Sequence, residues 1–269
     1  MGLELALANP LVIIVAGGFL IGLLVGKTGV GAGDQTPPML IQVVGLPPAI
    51  AVGTDLLFAS ITKSSAAWRH HSLGNVHWPI LAWLAAGSVP GALAVIAWLS
   101  IAEPDTTVLA AVVRKALAFV LVASAVAIFA CTAAVKCGLR GGSAEVPDIT
   151  ARRGYTLAFG LLLGAIVALT SVGAGAIGVT VLAMLYPALA ARRLVGTDIV
   201  HAIPLTLVSG LGHLGLGNVD MKVLAVLLLG SLPGIALGSR ITGLVPDWLL
   251  RVGLAVVLLN AAWLLIRAS

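Results

Sequence analysis

Charged residues are scarce in this chain of 269 residues. Asp, Glu, Lys and Arg together make up 9% of it, while hydrophobic residues make up 60%. In a soluble globular domain about a quarter of the residues are charged, so this scarcity excludes an ordinary soluble protein and indicates an integral membrane protein. The net charge of +5 does not indicate nucleic-acid binding, because the cations lie mostly between the apolar segments.

Cysteine and the common catalytic motifs are also scarce. The two cysteines, Cys131 and Cys137, lie near the end of one apolar segment without zinc-ligand companions, which indicates free thiols and no metal site. HExxH, G-x-S-x-G and a complete P-loop are absent, so neither an enzyme nor a cofactor is predicted. No basic region precedes the first apolar segment, which argues against a cleavable signal peptide.

Ten apolar segments fill the chain, and most approach the ~20 residues that a helix needs to cross a bilayer. The second and seventh are too short to cross, and each follows a glycine-rich break, GVGAG or SVGAG. Two short segments at matching positions, each after a glycine-rich break, are typical of broken helices around a transport site. A re-entrant hairpin is the alternative for either segment. The segments are residues 10–32, 36–46, 48–69, 77–100, 107–135, 153–173, 176–190, 194–213, 221–241 and 247–266.

The chain contains two copies of one unit. Residues 52–91 align with 195–234 without a gap, and the shared pieces are VGTD, LGNV and GS-PG. Chance similarity of apolar helices would not preserve Asp, Asn, Pro and Gly, so these matches indicate a duplication. We predict a first transmembrane repeat over 1–135, a cytoplasmic linker over 136–152 and a second repeat over 153–269.

Five segments per copy is an odd number, so the second repeat would enter the membrane inverted relative to the first. The positions of the cations favour this arrangement and place both termini in the periplasm. With Lys27 and Lys63 set aside as intramembrane, nine of the thirteen remaining Lys and Arg fall on one predicted side: Arg69, Lys136, Arg140, Arg152, Arg153, Arg192, Arg193, Arg240 and Arg251.

Ionisable residues inside apolar segments are candidates for function, because each costs at least ~2.5 kcal/mol in the bilayer. Asp55 and Asp198 occupy equivalent positions in the two copies, where they would handle a proton, hold a cavity or cap a helix. Lys63 has Thr206 as its counterpart. Its ammonium would bind an anion or a carboxylate, unless it reaches back to the membrane surface.

The glycine breaks are a second candidate site. Unwound glycines would expose N–H groups at the start of each short helix, where an anion binds readily, although they would also permit close packing. We therefore predict anion contacts from Gly29, Gly31, Gly33, Gly173 and Gly175. Lys27 is a further cation, Asp34 a cap or proton carrier, and His201 a proton carrier or a hydrogen-bond partner of Asp198.

The motifs GVGAGDQTPPMLI, VGTDLLFASITKSSAAWRHHSLGNV and GSVPGAL, with the second VGTD and LGNV, resemble the TauE/SafE family of sulfite and organosulfur anion exporters. The resemblance covers nearly the whole chain and implies a secondary transporter of the bacterial inner membrane. It adds Thr54, Thr62 and Thr197 to the predicted site and also highlights Thr36.

The sequence thus predicts an all-α, multi-pass transporter coupled to protons, and the resemblance implies that it exports small sulfur-containing anions such as sulfite or sulfoacetate. A passive anion channel and a carrier of another small anion, such as a carboxylate, are the alternatives. The predicted partners are the anion and the lipid bilayer, with no nucleic acid and no cofactor. Whether the protein forms a homo-oligomer is left open.

Overall fold

The structure is a computed structural model that describes residues 10–28, 32–136, 151–240 and 247–267. These parts of the chain form ten α-helices, and a short 3-10 helix, Ala32–Gln35, lies between the first two. In chain order the α-helices are α1 Pro10–Thr28, α2 Thr36–Gln42, α3 Pro48–Ser72, α4 Trp78–Ala102, α5 Thr106–Lys136, α6 Arg153–Thr170, α7 Ala176–Leu185, α8 Ala191–Gly215, α9 Met221–Arg240 and α10 Asp247–Arg267.

The predicted all-α membrane fold is confirmed, with one helix in each predicted segment. Helices α2 and α7 are the short ones, with 7 and 10 residues. Within the described parts, five helices are long and apolar enough to cross a membrane: α4, residues 106–130 of α5, α6, α8 and α9. Most of the predicted linker lies outside the described residues, so the proposed division of the chain stays a prediction.

The repeated LGNV motif ends a helix in each half. Gly74 follows α3 and Gly217 follows α8, both with positive φ, at 66° and 74°. The next residue donates its N–H to a carbonyl five positions earlier, Asn75 to His70 and Asn218 to His213. This is the bonding pattern of a glycine-terminated helix end, so the glycine of each copy is kept for the backbone turn.

Two helix pairs cross between the halves in a reciprocal way. Helix α1 packs against α9, and α6, which corresponds to α1, packs against α4, which corresponds to α9. Both contacts bring glycines against backbone: a Cβ at Gly22 would overlap the Ser231 carbonyl, and one at Gly164 the Ser88 carbonyl. Each pair is therefore closely packed through small residues.

Helices α3 and α8 pack against each other at the centre of the molecule. Residues 51–60 of α3 are all buried, so every face of that segment is covered by protein. A Cβ at Gly53 would overlap the carbonyl oxygen of Asn218, and one at Gly196 would overlap that of Asn75. The start of each central helix is thus held against the LGNV turn of the other half.

The VGTD threonines strengthen these two junctions. Thr54 Oγ1 accepts a hydrogen bond from the Asp220 N–H, and Thr197 Oγ1 accepts one from the His77 N–H, each at 2.9 Å. Asp220 and His77 occupy equivalent positions in the aligned repeats. The threonine before each aspartate therefore ties the two halves together, and both threonines and both aspartates are buried.

Candidate functional site

The second glycine break, residues 171–175, is the element around which the buried charges gather. Ser171, Gly173 and Gly175 all have positive φ, at 61°, 111° and 153°. Such angles are unfavourable in an α-helix and are adopted most readily by glycine. The chain therefore unwinds between α6 and α7, and α7 starts inside the protein at Ala176.

Lys63 of α3 reaches this break. Its side chain is 5% exposed, and its Nζ donates a hydrogen bond to the Ala174 carbonyl oxygen at 3.2 Å. The ammonium thus lies inside the protein and beside the start of α7, and it does not reach back along α3 to the membrane surface. A buried ammonium needs acceptors or counter-charges around it.

Asp55, two turns before Lys63 on α3, also contacts the second glycine break. Its carboxylate is fully buried, and Oδ2 accepts a hydrogen bond from the Ser171 hydroxyl at 2.7 Å. Its Oδ1 has no hydrogen-bond partner among the described residues. The buried hydroxyl of Thr36, the first residue of α2, lies beside this carboxylate.

Asp198 of α8 faces the first turn of α7. Its side chain is 1% exposed, and its Oδ1 lies so close to Gly178 that a Cβ there would overlap it. No group in the described ranges hydrogen-bonds to this Oδ1. No described backbone N–H bonds to either Asp55 or Asp198, so helix capping does not explain the repeated aspartate.

A third carboxylate completes the cluster. Asp34 lies in the 3-10 helix after the first glycine break and is 5% exposed. Lys63 interacts electrostatically with Asp34, Asp55 and Asp198. One ammonium and three carboxyl groups, from α3, α8 and the first break, therefore share one buried region at the start of α7.

His201 does not bond to Asp198, so that alternative for its partner was wrong. Its imidazole is fully buried, and Nε2 lies 2.7 Å from the Ser88 hydroxyl oxygen of α4. The reason is packing, because α4 lies against α8 and brings Ser88 to this ring. Among the described residues, Nδ1 has no hydrogen-bond partner.

The remaining predicted residues lie around this cluster or outside the described residues. Thr62 is buried, and its hydroxyl donates to the Phe58 carbonyl of its own helix at 2.9 Å. Thr54 and Thr197 hold the junctions between the halves, and Gly33 lies in the 3-10 helix with Asp34. Gly29, Gly31 and the side chain of Lys27 lie outside the described part of the chain.

Four residues of the cluster were not predicted as site residues from the sequence: Ser88, Ser171, Ala174 and Gly178. Ser171 is the first letter of the break SVGAG, where the other copy has glycine. Gly178 follows its break by the same three residues as Thr36 follows GVGAG. The alignment from VGTD hides this match, because one more residue separates break and VGTD in the second half.

Comparison with known proteins assigns the chain to a family. The family model described as sulfite exporter TauE/SafE matches residues 14–265. The chain belongs to this family. The resemblance inferred from its motifs is thereby confirmed, and the family name indicates a membrane transporter and not an enzyme.

Two relatives of the TauE/SafE chain come from Bacillus subtilis (strain 168). One, described as "Probable membrane transporter protein YjnA", is 34% identical over 229 residues, covering 85% of this chain and 89% of the relative. The other, "Probable membrane transporter protein YdhB", is 28% identical over 236 residues, covering 87% and 91%. No solved structure matches the chain.

Proposed function

We propose that this protein is a secondary transporter that exports sulfite or related small sulfur-containing anions, such as sulfoacetate and other organosulfonates, across the bacterial inner membrane. The family description supports the substrate class and the direction. The transporter names of the two relatives support the general activity.

The observation that carries this proposal is the position of Lys63. An ammonium buried in a membrane protein is costly, and this one is hydrogen-bonded to a backbone carbonyl of the second break. An incoming oxyanion would make a stronger, charge-assisted hydrogen bond with the ammonium than a neutral carbonyl does. We therefore place the anion beside Lys63, between the second break and α3.

We further propose that the two halves are inverted repeats related by a two-fold axis in the membrane plane. Such an axis requires each contact between the halves to have a reciprocal partner. The pairs Gly53 with Asn218 and Gly196 with Asn75 satisfy this requirement, as do the two crossed helix pairs. With the distribution of cations, this relation supports periplasmic termini.

Proton coupling is supported by the three carboxyl groups around a single ammonium. If all three were charged, the region would repel an anion even with Lys63 in place. Anion binding is therefore coupled to proton binding at Asp34, Asp55 or Asp198 in our proposal. A passive channel would lack this coupling, and its flux would not respond to an imposed pH gradient.

Anion flux through purified protein in liposomes tests the function. The wild type should release preloaded sulfite or sulfoacetate, and Lys63→Ala should reduce the flux at least about tenfold, because it removes a charge-assisted hydrogen bond worth ~1.5 kcal/mol or more. Lys63→Arg should retain part of it.

The matched control is Thr206→Ala, at the position equivalent to Lys63. Thr206 is buried and bonds to the Ala202 carbonyl of its own helix at 2.8 Å, so its removal should leave most of the flux. Undiminished flux in Lys63→Ala would exclude Lys63 from the site. No flux of any sulfur anion through the wild type would contradict the substrate class.

A further inference from the structure

The start of α7 offers hydrogen-bond donors that the helix itself does not use. The N–H groups in the first turn of an α-helix have no partner within the helix, and they carry the positive end of its dipole. In α7 the N–H groups of Gly178 and Val179 bond to the Gly173 and Gly175 carbonyls of the break. Within the described residues, those of Ala176 and Ile177 are left for another acceptor.

An unpartnered carboxylate oxygen lies against this turn. Asp198 Oδ1 is buried, has no hydrogen-bond partner in the described ranges and touches the backbone of Gly178. Glycine at this position is what makes the approach possible, because any side chain would occupy the space of Oδ1. The carboxylate therefore lies against the first turn of α7, which carries the positive end of the helix dipole.

The same place is faced by the Lys63 ammonium. Lys63 donates to the Ala174 carbonyl, two residues before α7 begins, and it interacts electrostatically with Asp198. A positive helix end and an ammonium together form the kind of site that an oxyanion occupies. In this structure the negative group beside that site is the Asp198 carboxylate of the protein itself.

We propose that the charged carboxylate of Asp198 takes the place of the transported anion between Lys63 and the first turn of α7, so that the anion enters only when Asp198 carries a proton. This inference rests on the proposed anion transport. The protonated acid is neutral, which releases both Lys63 and the helix end to the anion. Without the proton, two anions would share one buried site with one ammonium, which is strongly unfavourable.

The other titratable groups near Asp198 do not take over this role. Asp34 interacts with Asp198 electrostatically from the 3-10 helix and adds negative charge. Asp55 already accepts a hydrogen bond from Ser171. His201, one turn along α8, is held by Ser88 of α4. Asp198 is the one of these groups that lies against α7.

The sign of the coupling follows because the charged carboxylate of Asp198 and the anion compete for the same site. A proton on Asp198 strengthens anion binding, and by thermodynamic reciprocity a bound anion strengthens proton binding. Raising the pH charges Asp198 and weakens the binding of the anion by up to about tenfold per pH unit for one linked proton. Proton and anion are therefore bound by the same state of the protein.

Equilibrium binding in detergent tests the proposal with sulfoacetate and thiosulfate, whose acid groups are all ionised between about pH 6 and pH 8. Wild-type affinity should fall as the pH rises, and a weakly buffered solution should show uptake of about one proton per bound anion. Asp198→Asn keeps the shape but cannot ionise. Its affinity should be independent of pH, with no proton uptake.

Asp55→Asn is the matched comparison, and it should keep the pH slope whatever its affinity. Gly178→Ala gives a second variant: its Cβ displaces the carboxylate from α7 and should flatten the slope without changing any charge. A pH slope that persists in Asp198→Asn, or a wild type that binds anions equally at all pH values, would overturn the inference and leave the transport proposal standing. Absence of anion binding to the wild type would remove both.

Discussion

In the first half of the chain Lys63 occupies the position that Thr206 has in the second half, and Phe58 occupies that of His201. At the junctions the halves are alike instead, with Gly53 and Thr54 matched by glycine and threonine in the second copy. Residues that hold the halves together are thus duplicated, and so is the aspartate of each VGTD, while Lys63 and His201 each occur in one copy. The duplicated residues account for the fold and the paired carboxylates, and Lys63 makes the buried cluster asymmetric.

Equal responses are expected where the halves are alike, and the largest effect should come from their central junction. Gly53→Ala and Gly196→Ala each place a Cβ into a backbone carbonyl oxygen. Because backbone cannot yield as a flexible side chain does, each should cost about 1–3 kcal/mol or more and should lower the melting temperature in detergent by similar amounts. A large loss in one variant with none in the other would break the equivalence of the two junctions.

Unequal responses are expected where the halves differ, with a smaller effect. Ser88→Ala removes the hydrogen-bond partner of buried His201 and should cost about 1–3 kcal/mol, the range for a buried polar group left unsatisfied. Ser231→Ala, at the equivalent position, removes only a 3.5 Å contact to the Leu228 carbonyl. The free energy of unfolding of Ser231→Ala should stay within about 0.5 kcal/mol of that of the wild type.

Chemical denaturation of both serine variants measures this difference. Equal stability of Ser88→Ala and Ser231→Ala would show that the hydrogen bond between Ser88 and His201 does not stabilise the protein. Lower stability of Ser231→Ala than of Ser88→Ala would contradict the account of this pair altogether.

Local signals predicted the helices. The ten segments and the two short helices follow from hydropathy, Gly and Pro, whose effects act within a few residues. The predicted bounds of α7 extended beyond Leu185, since the apolar run continues after the helix ends.

Contacts between distant parts of the chain could not be predicted in the same way. Ser171 bonds to Asp55, and His201 to Ser88, and both bonds depend on how α3, α4 and α8 pack. The spacing of one turn predicts Asp198 as the neighbour of His201, but tertiary packing brings the Ser88 hydroxyl to the ring instead. The role of Gly178 could not be predicted from the sequence, because it depends only on the close approach of Asp198.

The most direct test compares the affinity of sulfite for the wild type, Lys63→Ala and Thr206→Ala. Calorimetry on the folded proteins in detergent, all at the same low pH, measures these affinities. The account predicts that Lys63→Ala binds at least about tenfold more weakly than the wild type, while Thr206→Ala binds nearly as well. Equal affinities of Lys63→Ala and the wild type would show that the anion does not meet the ammonium at the start of α7.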